Sequence, residues 1–227
     1  MIARILLRTA VLALLGATLL VAEDEKPAPQ APAEGGDAVA CANLIYAGTR
    51  SSVCFSDRFL SIVAAETTIN TARKFKPVKL ADGEVFNYPF AVMTGEGAFT
   101  LTEPERVNLK RYLERGGFLL ASAGCSSAQW AESFTREIKT VFPDLSLEVI
   151  PMEHEIFHTV YDITSLKTHG PEAKLKGLTL GGKIVLVWSA DGLNDTHTMH
   201  GCCCCGGNEI SNSQQVNVNI LAYVLLQ

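Results

Sequence analysis

The sequence predicts an α/β domain with a mostly parallel sheet covered by helices on both faces. Three observations carry this. Short apolar runs of strand length alternate with longer stretches of helical periodicity, which is the pattern of βαβ units. Capping residues and glycines mark where several of the helices begin and end. Gly181-Gly182 between two apolar runs signals a hairpin, adding an antiparallel edge to the parallel sheet.

The elements are expected in the following order. Ala42 to Tyr46 is a short apolar strand. Ser56 can cap a helix from Asp57 to about Arg73, with Leu60, Val63 and Ala64 on one face. Pro89 to Met93 is the next strand, after the acidic turn Asp82-Gly83-Glu84. Thr102-Glu103-Pro104-Glu105 is a capping box with an early proline, and Leu109, Tyr112 and Leu113 form the apolar stripe behind it. Gly116-Gly117 ends that helix, and Phe118 to Ala121 begins a buried strand. Trp130, Phe134, Ile138 and Val141 mark a helix that stops before Pro143, and Leu147 to Ile150 is a further strand. Leu178 to Leu180 and Ile184 to Trp188 flank the glycine pair. Ile220, Leu221, Val224 and Leu225 place a helix at the end of the chain.

Two segments precede this domain. Arg4 and Arg8 form a basic region ahead of an uncharged stretch, Thr9 to Ala22, too short for a membrane span and suited to a signal peptide over residues 1–22. The protein is therefore expected to be exported, periplasmic or extracellular, touching the membrane only if that segment stays uncleaved. Residues 23–40 are rich in Pro, Ala, Gly and acid and read as a linker, leaving a single domain over 41–227. Ala38-Val39-Ala40-Cys41 imitates a lipobox but lies too far from the apolar stretch to serve as one.

Composition bounds the function. A net charge of -5 provides no basic surplus to neutralise phosphates, so a nucleic-acid partner is not expected. A 48% hydrophobic content is too high for a disordered chain. Seven cysteines are unusual for an exported chain of this size, and an odd number leaves at least one unpaired within the molecule.

Ligands in such folds bind at loops leaving the carboxyl ends of the strands. Thr94 to Gly97, Gly124 to Ser127 and Met152 to His158 are three such loops. The stretch Ser189 to Ser213 joins them if Ile184 to Trp188 runs parallel to the other strands. Within it, His197, His200, Cys202, Cys203, Cys204 and Cys205 form a cluster of soft ligands suited to zinc or copper. Disulfides with Cys41, Cys54, Cys125 or another chain are the alternative. Cys125, between a buried strand and a helix, stands where a thiol nucleophile is placed in enzymes of this architecture, with His154 or His158 as base and Glu153 or Glu155 to orient it. Only Gly124 supplies the small residues such a turn needs, which favours a structural or ligating thiol. Gly95-Glu96-Gly97 reads as a tight turn, with Glu96 behind the site. Asn194-Asp195-Thr196 is an N-glycosylation sequon.

The stretches FNYPFAVMTGEGAFTLTEPERVNLKRYLERGGFLLA, SFTREIKTVFPD, HEIFHTVYDI and VNVNILAYVLL resemble, in this order, a bacterial family known as domain of unknown function 4159. The resemblance runs over roughly residues 42–227. It implies a flavodoxin-like three-layer sandwich of the class I glutamine amidotransferase-like kind, and it carries no established activity. It also implies an acid and paired cysteines after the strand ending at Ala121, where this chain has Ser122-Ala123-Gly124-Cys125. After Ser189, a longer His/Cys-rich insert replaces the Gly-Cys-Gly-Trp-Glu type of motif expected there.

The leading reading is a non-catalytic exported module whose rim binds a metal or a protein or small-molecule partner. The rivals are a thiol-dependent hydrolase or amidotransferase-like enzyme using Cys125 and His154, and a thiol/disulfide redox protein.

Overall fold

The computed structural model describes residues 38–48, 50–51, 54–196 and 208–226. The proposed signal peptide and almost all of the linker lie outside them, as do His197, His200 and Cys202 to Cys205.

Eight strands form one sheet. They are β1 (Cys41–Tyr46), β2 (Arg50–Ser51), β3 (Lys76–Lys79), β4 (Phe90–Gly95), β5 (Phe118–Ala123), β6 (Glu148–Val149), β7 (Lys176–Leu180) and β8 (Lys183–Ser189). Their order is β2-β1-β4-β5-β8-β7-β6, with β3 also paired to β1. The pairs β1–β3, β1–β4, β4–β5 and β5–β8 are parallel, whereas β1–β2, β7–β8 and β6–β7 are antiparallel. The helices are α1 (Arg58–Glu66), α2 (Glu103–Glu114), α3 (Ala128–Val141) and α4 (Ser213–Leu226).

Alternation along the strands divides the core into two halves. Phe90 and Val92 of β4, and Phe118 and Leu120 of β5, pack with Phe59, Leu60, Ile220 and Leu221 of α1 and α4. Ala91, Met93, Leu119 and Ala121 point the other way, onto Leu109 and Leu113 of α2 and Phe134 and Ile138 of α3. A period of two along a strand buried on both faces produces this division, so the architecture is a three-layer α/β/α sandwich. At about 25 cal/mol per Å², each fully buried Leu, Phe or Met stabilises the fold by roughly 1.5–3 kcal/mol. Gly181 and Gly182 both adopt positive φ, 57° and 83°, as the predicted two-residue turn requires. Among the described residues no helix is long and apolar enough to cross a membrane.

Three elements differ from expectation. Helix α1 ends at Glu66 instead of about Arg73, because Thr67 turns extended and its Oγ1 and amide both take the Val63 carbonyl. Strand β3 carries Pro77, which hid it in the sequence. It lies on an outer edge, where a missing N–H is tolerated. Strand β5 runs two residues past Ala121, so Ser122 and Ala123 are buried sheet residues and not loop.

Candidate functional site

Strands β1, β4, β5 and β8 are parallel, so their carboxyl ends share one edge of the sheet. The direction of β8 was the open condition, and β8 pairs parallel with β5 from Leu119↔Leu186 to Ser122↔Ser189. The loops after β4, β5 and β8 therefore meet on one rim.

The rim is built from small residues that allow backbones to approach. A Cβ at Gly95 would lie 2.2 Å from Tyr46 Oη and 2.9 Å from Trp130 Nε1, so only glycine fits between that buried pair. Tyr46 Oη donates to the Thr94 carbonyl at 2.8 Å and accepts from Trp130 Nε1 at 2.7 Å. Gly97 takes φ 70°, and its amide donates to Ser127 Oγ at 3.0 Å. Ser127 also caps α3 by accepting from the Trp130 amide at 3.4 Å. One hydroxyl thus ties the β4 loop to the start of the helix after β5.

Cys125 occupies this junction. Its φ of 49° and ψ of 31° place it in the left-handed region, and Ser126 follows at φ 51°. Two consecutive non-glycine residues in that region are uncommon and cost about 1–3 kcal/mol each. The Cys125 thiol donates to Glu96 Oε1 at 3.3 Å, and Cys125 is of intermediate exposure. Glu96, expected only behind the site, touches the thiol directly.

The β8 loop folds over the same junction. Ser122 Oγ accepts from the Leu193 amide at 2.8 Å, so the residue standing near the expected acid holds this loop down. Asn194 Nδ2 donates to the Cys54 carbonyl at 2.6 Å and to Thr94 Oγ1 at 3.0 Å, while the Asn194 carbonyl accepts from the Ser56 amide. With its amide nitrogen buried and used twice, Asn194 is closed to glycosylation, and the sequon is structural. Asn194 Oδ1 is buried with no hydrogen-bond partner among the described residues. Asp195 is buried at φ 51° and accepts from Gln214 Nε2.

The residues flanking 197–207 are pinned together. Gly192 and Glu209 form a parallel bridge, and the Thr196 amide reaches Glu209 Oε1 at 3.4 Å. Asn208 Nδ2 donates to Asp191 Oδ1 at 2.8 Å, and Ser126 Oγ donates to the Asn208 carbonyl at 3.2 Å. Burial pushes the Asp191 carboxyl above the usual carboxylate range, opposed by the Asn208 amide. Thr196 and Glu209 are thus held together, and Asn208 is bonded to the loop that carries Cys125.

The other sequence candidates lie elsewhere. His154 caps the turn Glu155–Phe157 by accepting from the Ile156 amide at Nδ1, and its ring packs edge-on against Tyr223. Tyr223 is ten residues along α4 from Ser213, roughly 15 Å from the end of α4 at the rim at 1.5 Å per residue. His158 is exposed, with contacts to Asp162 Oδ1 at 2.5 Å and the Met152 carbonyl at 2.8 Å, which raise its pKa. Cys41 opens β1 fully buried, and burial pushes its thiol up to about 12. Cys54 is not a free thiol. Among the described residues no group of three or more His, Cys, Asp or Glu could hold a metal ion.

Some residues escaped the sequence reading. Ser127 was legible as a helix cap directly before a periodic run. Asn217 and Asn219 are buried in α4, where Asn219 Oδ1 accepts from the Val160 and Tyr161 amides. Their only signal is two polar residues inside an otherwise apolar helix.

The chain has no significant match among curated proteins. The family described as Domain of unknown function (DUF4159) matches residues 43–225, which takes in every strand and helix named above except the first two residues of β1 and the last of α4. The chain belongs to the domain of unknown function 4159 family.

Proposed function

We propose that the protein is an exported, non-catalytic binding module that holds a soft metal ion, zinc or copper, at this rim. Its ligands are drawn from His197, His200 and Cys202 to Cys205, together with Glu96 of the loop after β4 and Cys125 of the loop after β5. The observation that carries the reading is the bond from Ser126 to Asn208, which sets the return point of the His/Cys-rich segment one residue from Cys125. Thiolate, imidazole and carboxylate together suit zinc, and thiolate with imidazole suits copper. The orphaned acceptor Asn194 Oδ1 lies near the exit of the same segment. Export rests on Arg4, Arg8 and the uncharged stretch behind them. The arrangement of helices on both sheet faces favours the flavodoxin-like, amidotransferase-like grouping.

The thiol's surroundings favour a non-catalytic role. Its described partner is a carboxylate, and a hydrolase thiol needs a base matched to its own proton affinity. His154 is occupied by the Ile156 amide and Tyr223. Metal analysis of the mature protein, followed by zinc titration of the wild type and of Cys125→Ala, tests the reading. About one metal ion per chain, bound at least tenfold more weakly in the variant, supports it.

The left-handed Cys125 favours a second reading, a thiol enzyme, because strained turns cluster at active sites. Intact-mass labelling with iodoacetamide separates the two. Rapid alkylation of Cys125 in metal-loaded protein supports the enzyme, and protection by metal supports the module.

A further inference from the structure

A cleft of about 560 Å³ lies between α3 and the start of β7, on the shoulder of the rim. Its two walls follow from local structure. Glu132, Arg136 and Lys139 stand at helical spacing on the exposed face of α3, while Ser133, Phe134, Glu137 and Ile138 are buried behind them. Lys174 and Lys176 point outward on either side of the buried Leu175, as alternation along an extended chain requires. The register sets Lys176 opposite Trp188 on β8, and Trp188, Ala131 and Ala190 form an apolar floor.

The cleft's charge is opposite to that of the whole chain. The full sequence has 19 basic residues against 24 acidic ones, yet this cleft is lined by four cations and one carboxylate. Arg136 is partly satisfied by the Phe99 carbonyl at 2.6 Å, and Lys139 by the Leu145 carbonyl at 3.4 Å. Lys174 and Lys176 form no ion pair among the described residues. A volume within the ordinary range for small-molecule sites, an apolar floor and converging cations together define a ligand class.

We infer that this cleft binds a small organic anion, a phosphate or carboxylate carried on an apolar body that lies against Ala131, Ala190 and the edge of Trp188. The lysines would supply flexible point charges to the anionic group, and the floor would supply area to the apolar body. The site shares no residue with the rim around Cys125, so it stands or falls separately from the metal reading.

The probe is 2-naphthyl phosphate, measured by calorimetric titration of the full chain at low salt. Inorganic phosphate serves as the charge-only control and 2-naphthol as the apolar-only control. The wild type is expected to bind the probe at least tenfold more tightly than either fragment. Lys174→Glu/Lys176→Glu is expected to weaken probe binding by at least tenfold. Lys139→Glu, on a different element, is expected to weaken it severalfold and keeps the test valid if the double variant fails to fold. Probe binding no tighter than inorganic phosphate overturns the inference, and so does wild-type affinity in folded variants.

Discussion

The Cys125 thiol donates to Glu96 Oε1 at 3.3 Å and joins the loops that leave two neighbouring parallel strands. Strands β4 and β5 end in register at Gly95↔Ala123, so Glu96 is one residue and Cys125 two residues beyond the last paired position. Reaching this contact takes Cys125 and Ser126 into the left-handed region. The rim therefore stores strain that the surrounding hydrogen bonds hold in place.

That strain is measurable at Ser126. Ser126→Ala and Ser126→Gly both remove the hydroxyl that reaches Asn208, but only glycine adopts φ 51° without steric cost. Ser126→Gly should be more stable than Ser126→Ala by about 1–2 kcal/mol in urea denaturation. Equal midpoints would show that the turn is unstrained.

Cys41 and Cys125 should separate by reactivity. Cys41 is fully buried with its pKa pushed up to about 12, so it should remain unalkylated at pH 8 in native protein. Cys125 is part-exposed and should react under metal-free conditions. The linkage follows the same shift. Between about pH 9 and about 12 the unfolded chain loses the Cys41 proton while the folded one keeps it, so stability falls as pH rises through that window. Site-resolved peptide mass spectrometry reads the first effect, and denaturation at stepped alkaline pH reads the second.

The buried pair beneath the rim should dominate local stability. Tyr46→Phe removes the oxygen that accepts from Trp130 Nε1 at 2.7 Å and leaves that N–H unpaired in the core. A loss of about 1–3 kcal/mol is expected. Trp130→Phe also loses indole contacts with Phe99, Phe134 and Trp188 and should cost more. If Tyr46→Phe matched the wild type, the hydrogen bond would have no net worth.

Arg106 Nε donates to Glu137 Oε2 at 2.8 Å, and the Glu137 side chain is only 3% exposed. Arg106→Ala leaves that carboxylate with the longer Arg136 contact at 3.6 Å and should cost roughly 1–3 kcal/mol, whereas Arg106→Ala/Glu137→Leu should recover most of the loss. Additive losses in the double-mutant cycle would show that the pair is not coupled.

His158 should titrate above the ordinary histidine range, because the Asp162 carboxylate and then the Met152 carbonyl favour its protonated form. Its contribution is present below about pH 6.5 and lost as pH rises through the raised folded value. Imidazole shifts followed by NMR from pH 5 to 9 read this directly, and Asp162→Asn should return the midpoint toward 6.5.

Much of the fold was legible in the sequence, and the reasons are local. Thr102 to Glu105, Gly116-Gly117 and Gly181-Gly182 fixed the boundaries of α2, β5 and the β7–β8 turn because capping and positive φ depend on few residues. The short apolar runs marked β4, β5 and β8 as strands of a sheet covered on both faces. Strand β3 escaped because Pro77 is tolerated only through its place at an edge, which is a tertiary fact. The end of α1 escaped because Thr67 competes for the Val63 carbonyl through its side chain. At the site, the convergence of three loops was readable once β8 was assumed parallel. The contact of Cys125 with Glu96 and the fastening of Asn194 were not, since both bring together residues far apart in sequence. His154 was drawn to the site by residue type and by reading Met152 to His158 as a rim loop, and its partners place it along α4 instead.

We propose that the rim holds a soft metal ion with Cys125 among its ligands. Mass-spectrometric metal content of the mature chain, purified without added metal or chelator and then dialysed against zinc or cuprous ion, tests it most directly. About one zinc or copper ion per chain is expected in the wild type, with occupancy falling in Cys125→Ala. A folded wild type that carries no metal and takes none up on dialysis would contradict it.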